Sequence, residues 1–135
     1  MTDRIALYGD HVASIIKEQR IAVQWTRGRD SSTAWRRRRC IKIQRIKCPW
    51  TYAIALHEIG HIIGPHQNAL RFCSEVGAWI YARQAALQWS RMMMRICHEC
   101  LDSYAARYSQ IQSAKMPDAS HPIWIEASDI LNYQP

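Results

Sequence analysis

Two histidines four residues apart, with a glutamate beside the first, form the most chemically specific pattern in this chain: His57-Glu58-x-x-His61. On a helix of ~3.6 residues per turn, positions i and i+4 share one face about a turn apart, so two imidazoles can reach a single ion. Neutral imidazole nitrogen is a favoured zinc ligand. A carboxylate next to the first ligand can approach an open coordination position and take the proton from a water there, which gives Glu58 the place of general base. The chain has 6 histidines, and an unweighted chance match to this spacing has an expectation of roughly 0.01. The flanking Ala55, Leu56, Ile59, Ile62 and Ile63 are apolar enough to bury such a helix, and Gly60 leaves space beside it.

A catalytic zinc usually takes three protein ligands and keeps a fourth position open, so a third ligand is needed. In one known arrangement, a glycine follows three residues after the second histidine and a third histidine three beyond that. Gly64 fits, but Gln67 occupies the histidine's place and His66 falls one residue early. Glu75 is the alternative, in Ser74-Glu75-Val76-Gly77-Ala78-Trp79, where an antiparallel helix hairpin would bring its carboxylate back over His57 and His61. It lies on the stripe of Trp79, Ala82 and Ala86 that should face inward, and an acid there needs a cationic partner. His98 and Asp102 are more distant candidates. Glu75 is favoured over His66 and over these two.

Several elements must hold these residues in place. The 135 residues suit one domain spanning 1–135. Ile5, Tyr8, Val12, Ile15 and Ile16 have the spacing of an amphipathic helix over 4–19. Ile21 to Thr26 reads as a strand, and Arg27 to Ser32 as a loop. From Ala34 to Ile46, Ile41 and Ile43 alternate with Lys42 and Gln44, as in a half-exposed edge strand carrying cations outward. Pro49 and an N-cap at Thr51 predict a helix starting near 50–52 and ending at Gly64-Pro65. A long helix follows over about Leu70 to Trp89, and Ser90 can cap another running through Met93, Ile96, Leu101, Tyr104 and Tyr108. The fold class is therefore α+β: an N-terminal helix, a small β-sheet, the helix of the histidine motif, then two long helices.

Composition narrows the classes further. With 48% hydrophobic and 21% charged residues, disordered and fibrous chains are excluded. The uncharged run Pro49 to Leu56 is well short of the ~20 residues that span a bilayer, and the opening residues lack the pattern of a secretory signal, so no membrane partner is expected. Cys40, Cys48, Cys73, Cys97 and Cys100 are odd in number and sparse, which fits reduced thiols in the cytoplasm. A lone Cys97-His98-Glu99-Cys100 reads more simply as helix packing than as a redox or zinc half-site, and Met92-Met93-Met94 as core filler. Tyr81, Tyr104 and His98 are each candidates for a transition-state donor. The formal net charge is +7, concentrated in Arg36, Arg37, Arg38, Arg39, Lys42, Arg45 and Lys47. Such a basic Trp35–Lys47 segment suits a solvated face, nucleic acid, or an acidic protein or peptide substrate, the last with Arg36, Arg38 and Lys42 along the cleft.

Ala55-Leu-His-Glu-Ile-Gly-His-Ile-Ile-Gly-Pro, followed by Ser74-Glu75-x-x-Ala78-Trp79-x-x-Ala82-Arg83, resembles the small zincins of phages and prophage-bearing bacteria. It is more loosely similar to the ImmA/IrrE metallopeptidases, from which it departs in the short gap from His61 to Glu75 and in Trp79, where a small polar residue is usual. The resemblance covers about residues 33–105. It implies a zinc-dependent, gluzincin-type metallopeptidase hydrolysing peptide bonds through a metal-activated water, with Zn2+ held by His57, His61 and Glu75 and with Glu58 catalytic. The other class consistent with the residues is a basic nucleic-acid-associated protein with a structural zinc.

Overall fold

The computed structural model describes residues 2–29, 31–111 and 116–132, without the side chains of Thr2 and of 106–111. Asp30 and the side chain of Tyr108 therefore lie outside the described residues. The order is helix α1 (Thr2–Gln19), strands β1 (Ala22–Trp25), β2 (Thr33–Trp35) and β3 (Cys40–Ile43), then helices α2 (Pro49–Ile63), α3 (Arg71–Ala85), α4 (Arg91–Ile111), α5 (Ile123–Glu126) and α6 (Ser128–Leu131). This is the expected α+β arrangement of an N-terminal helix, a small sheet and later long helices.

The sheet corrects one expectation. The Ala34–Ile46 stretch is not a single edge strand: it folds into β2, a turn over Arg36–Arg39, and β3. The strand order is β1-β3-β2, with β1 parallel and β2 antiparallel to β3. β3 is thus the central strand, and its Ile41 and Ile43 are fully buried. The four arginines cannot be desolvated, so the chain reverses through them, with the Arg39 amide donating to the Arg36 carbonyl and Arg39 in the left-handed region at φ 47°.

α2 is enclosed by the rest of the fold, packing against α1, β2, β3, α3 and α4. An interior helix has no need of a polar face, and Tyr52, Ala53, Ala55, Leu56 and Ile59 are each fully buried. Burying side chains of the size of Leu56 and Ile59 is worth about 1.5–3 kcal/mol apiece. Thr51 is not the N-cap but the third residue of the helix, where its hydroxyl accepts from the Lys47 and Cys48 amides at 2.9 and 3.1 Å. The far end stops at Gly64, as the sequence predicts.

α3 stops at Ala85, short of the expected Trp89. The chain turns at Ala86, and the Leu87 amide donates to the Tyr52 hydroxyl at 3.0 Å, which anchors the α3–α4 connection to α2. Ser90 caps α4, its hydroxyl accepting from the Met93 amide at 3.2 Å. Met93, Ile96, Cys97 and Leu101 of α4 line the core, while Met92 is exposed. The tail, which has no clear sequence pattern, adds Ile123 and Ile130 to the same core.

Candidate metal centre

The α2–α3 hairpin is unusually close, and Gly60 is the reason. A Cβ on Gly60 would lie 2.5 Å from the Ala78 carbonyl oxygen and 2.8 Å from its Cα. His61 follows Gly60 directly and His57 lies one turn before it, while Glu75 lies one turn before Ala78 on α3, so this close approach sets the separation of the three. Gly77 gives α3 a similar contact with the connecting loop, where a Cβ would lie 2.0 Å from the Pro65 carbonyl oxygen.

Glu75 reaches both histidines. Its Oε1 lies 3.4 Å from His57 Nε2 and its Oε2 lies 2.7 Å from His61 Nε2. A ligand atom from each of the three residues falls within 4.8 Å of the others. Zinc ligands at ~2.0–2.1 Å in tetrahedral geometry stand about 3.3 Å apart, so two imidazole nitrogens and a carboxylate oxygen at these separations suit the ion in donor type and spacing. Among the described residues no other group of three His, Cys, Asp or Glu side chains converges in this way.

The two imidazoles are held by different means. His61 Nδ1 donates to Gln67 Oε1 at 3.0 Å. The Gln67 amide cannot turn over, because its Nε2 donates to the carbonyls of Pro65 and Ser74 at 2.8 and 3.0 Å, and the Ser74 hydroxyl donates to its Oε1 at 2.8 Å. With Nδ1–H held by Gln67 and Nε2–H donated to Glu75, His61 is favoured as the imidazolium here, and Nε2 is the atom that would turn to a metal once its proton is lost. His57 Nδ1 is buried with no hydrogen-bond partner among the described residues. Its ring is restrained instead by the Trp79 indole, stacked at 4.2 Å between centroids with 25° between planes.

Burial and charge set the acidity of these groups. Desolvation acts to raise the Glu75 carboxyl, but hydrogen bonds and charge from His57 and His61 prevail and hold it well below the ordinary carboxylate range. Desolvation acts to lower His61, and the bond and charge of Glu75 outweigh it and raise it. Glu58 is 7% exposed, and its carboxyl is raised chiefly by that burial, against the pull of the two histidines.

His57, Glu58, His61 and Glu75 share an open cleft of ≈ 450 Å³, lined also by Thr33 and Ala34 of β2, Arg36, Gln67, Arg71 and Ser74. The off-register His66 is turned away: it sits at φ 64° and its Nε2 lies 2.9 Å from Glu126 Oε2. His98 and Asp102 line a separate cavity with Phe72 and Trp124. Tyr81, Tyr104 and His98 are all absent from the cleft lining. Of the three cations expected along the cleft, only Arg36 is there; Arg38 lies over the Trp35 ring at 5.3 Å and Lys42 is half-buried on β3 opposite Thr33. Cys97 and Cys100 are free thiols pushed up by burial, Cys100 to about 11, consistent with packing.

Gln67, Ser74 and Arg71 also line the site, although their types and spacing do not single them out in the sequence. Gln67 carried one signal, since it occupies the place where another arrangement would put a histidine. Arg71 carried none, being a single cation ahead of an apolar helix. No family model, curated protein or solved structure matches the chain.

Proposed function

We propose that this chain is a zinc-dependent metallopeptidase in which His57, His61 and Glu75 hold the metal and Glu58 is general base and acid. The observation that carries this reading is the convergence of three donor atoms within 4.8 Å in a cleft that also contains a buried glutamate. Three ligands in an open cleft leave a coordination position for substrate or water, as catalytic rather than structural zinc requires. When bound, the metal supplies Lewis acidity, polarising the scissile carbonyl and lowering the pKa of water toward ~7.

The protein's own groups supply the rest. Burial raises the Glu58 carboxyl above its usual value, which makes it a stronger base than an exposed glutamate in the same place. It takes the proton of the attacking water and passes it to the leaving amine nitrogen. Among the described residues β2 pairs with β3 alone, and its Thr33 and Ala34 line the cleft, so an extended peptide can run along its other edge through main-chain hydrogen bonds. Among the described residues no helix is long and apolar enough to cross a membrane. The five free cysteines favour a reducing, cytoplasmic setting.

The test is to load the protein with zinc and follow a mixed peptide library by mass spectrometry, alongside Glu58→Gln. Wild type should cleave, and Glu58→Gln should keep the metal while losing ~100-fold or more in rate. Equal cleavage by the two proteins would refute the role of Glu58. Stoichiometric zinc without cleavage by either would favour a structural metal.

A further inference from the structure

Arg36 and Arg71 enter the metal cleft from elements far apart in the chain, the first from the turn after β2 and the second from the opening of α3. We infer that they form a carboxylate-binding subsite on the cleft rim, so that the preferred substrate is a peptide bearing an acidic group close to the scissile bond. This deepens the peptidase reading above and rests on it.

Both side chains are exposed, and no carboxylate among the described residues lies within ion-pair distance of either. The two carboxylates of the cleft are otherwise engaged: Glu75 is bonded to both histidines, and Glu58 is buried at the floor. Arg36 is also distinguished from the other arginines of its turn. Arg38 lies over Trp35, and an Arg39 guanidinium nitrogen donates to the Gln19 carbonyl. Arg36 alone of the four lines the cleft, where one of its nitrogens donates to Asn68 Oδ1 at 2.6 Å.

That bond goes to a neutral acceptor and uses part of a group with five N–H donors, so it positions the guanidinium while leaving donors for a ligand. A guanidinium fork matches the two oxygens of a carboxylate, and two cations without an acidic partner on the rim of one concave site attract an anionic ligand to it. The carboxylate has two sources in a peptide, an aspartate or glutamate side chain and the chain's own C-terminus.

A peptide series separates them. A glutamate is moved through each position of an amidated alanine-rich hexapeptide, with glutamine counterparts, and the all-alanine peptide is prepared with amidated and free C-termini. The zinc-loaded full chain is assayed for kcat/KM, and zinc-loaded Glu58→Gln for peptide affinity. At one glutamate position, or with the free C-terminus, preference over the neutral counterpart should be roughly 10-fold, carried mainly by KM and shrinking with salt. Arg36→Gln and Arg71→Gln should each bring the acidic-to-neutral ratio toward 1, and Arg36→Lys should restore part of it.

No preference at any position in either assay would overturn the subsite, whatever the rate of cleavage. Equal losses on acidic and neutral peptides in the arginine variants would also overturn it, placing the two side chains on the reacting carbonyl. Displacement of the acidic peptide by a single-stranded oligonucleotide at lower concentration would reassign the arginines to phosphate. Acid-dependent binding to Glu58→Gln without cleavage by wild type would support the subsite and count against the peptidase reading alone.

Discussion

Replacing Gly60 with alanine separates two physical effects of opposite sign. Helix propensity alone favours the change, since alanine in a helix interior is more stable than glycine by about 1 kcal/mol. The hairpin opposes it. The new Cβ would lie 2.5 Å from the Ala78 carbonyl oxygen where ordinary contact begins at 3.4 Å, and the clash is with backbone, which cannot rotate away. α2 and α3 must part by the difference of about 0.9 Å, and overpacking of this kind costs roughly 1–3 kcal/mol. Net destabilisation of about 0–2 kcal/mol corresponds to a fall in Tm of up to roughly 8 °C for a chain of this size. Glu75 moves with Ala78, one turn away, so its 3.4 Å and 2.7 Å contacts with the histidines lengthen. Zinc affinity should fall roughly 10- to 100-fold, the range seen when the support of a metal ligand is disturbed. Thermal melts of the metal-free protein and chelator competition for zinc measure the two effects. A higher Tm with unchanged zinc affinity would refute the reasoning that the glycine sets the hairpin spacing.

Other side chains give further tests. Gln67→Ala should weaken zinc binding by about 10-fold while Tm changes little, because it frees the His61 ring without opening the core; affinity equal to wild type in a chelator titration would remove Gln67 from the site. Burial pushes the Cys100 thiol to about 11 and raises Cys97 still further, so at pH 8 the Cys100 thiolate fraction is about a thousandth. Both should resist iodoacetamide at pH 8 and react faster as pH rises toward 11, and rapid native-state labelling of either at pH 8 in a mass-spectrometric time course would contradict their role as core packing.

How much of this was legible in the sequence depends on how local the cause was. α2 is bounded by residues that act on their own backbone, Pro49 at its start and Gly64 at its end, and its apolar run states its burial directly. Glu75 was accessible to reasoning because a lone acid on an inward-facing stripe requires a partner. The arginine turn was less so: alternation around Lys42 is the same in an edge strand and in a buried central one, and only the pairing of Ala22–Trp25 with Cys40–Ile43 decides between them. The end of α3 was hidden for a similar reason, since the acceptor that draws the chain away at Leu87 is Tyr52, 35 residues earlier. That Arg71 shares a cleft with Arg36 follows only from how the start of α3 and the turn after β2 meet in the fold, which neither segment encodes alone.

The central claim is a three-ligand metal centre with an open fourth position, and anomalous diffraction at the zinc edge from crystals grown with the metal tests it most directly. The expected result is one ion per chain within ~2.0–2.2 Å of His57 Nε2, His61 Nε2 and a Glu75 carboxylate oxygen, facing the cleft beside Glu58. An ion bound instead at His66 or at Cys97 and Cys100, or one closed off by a fourth protein ligand, would contradict it.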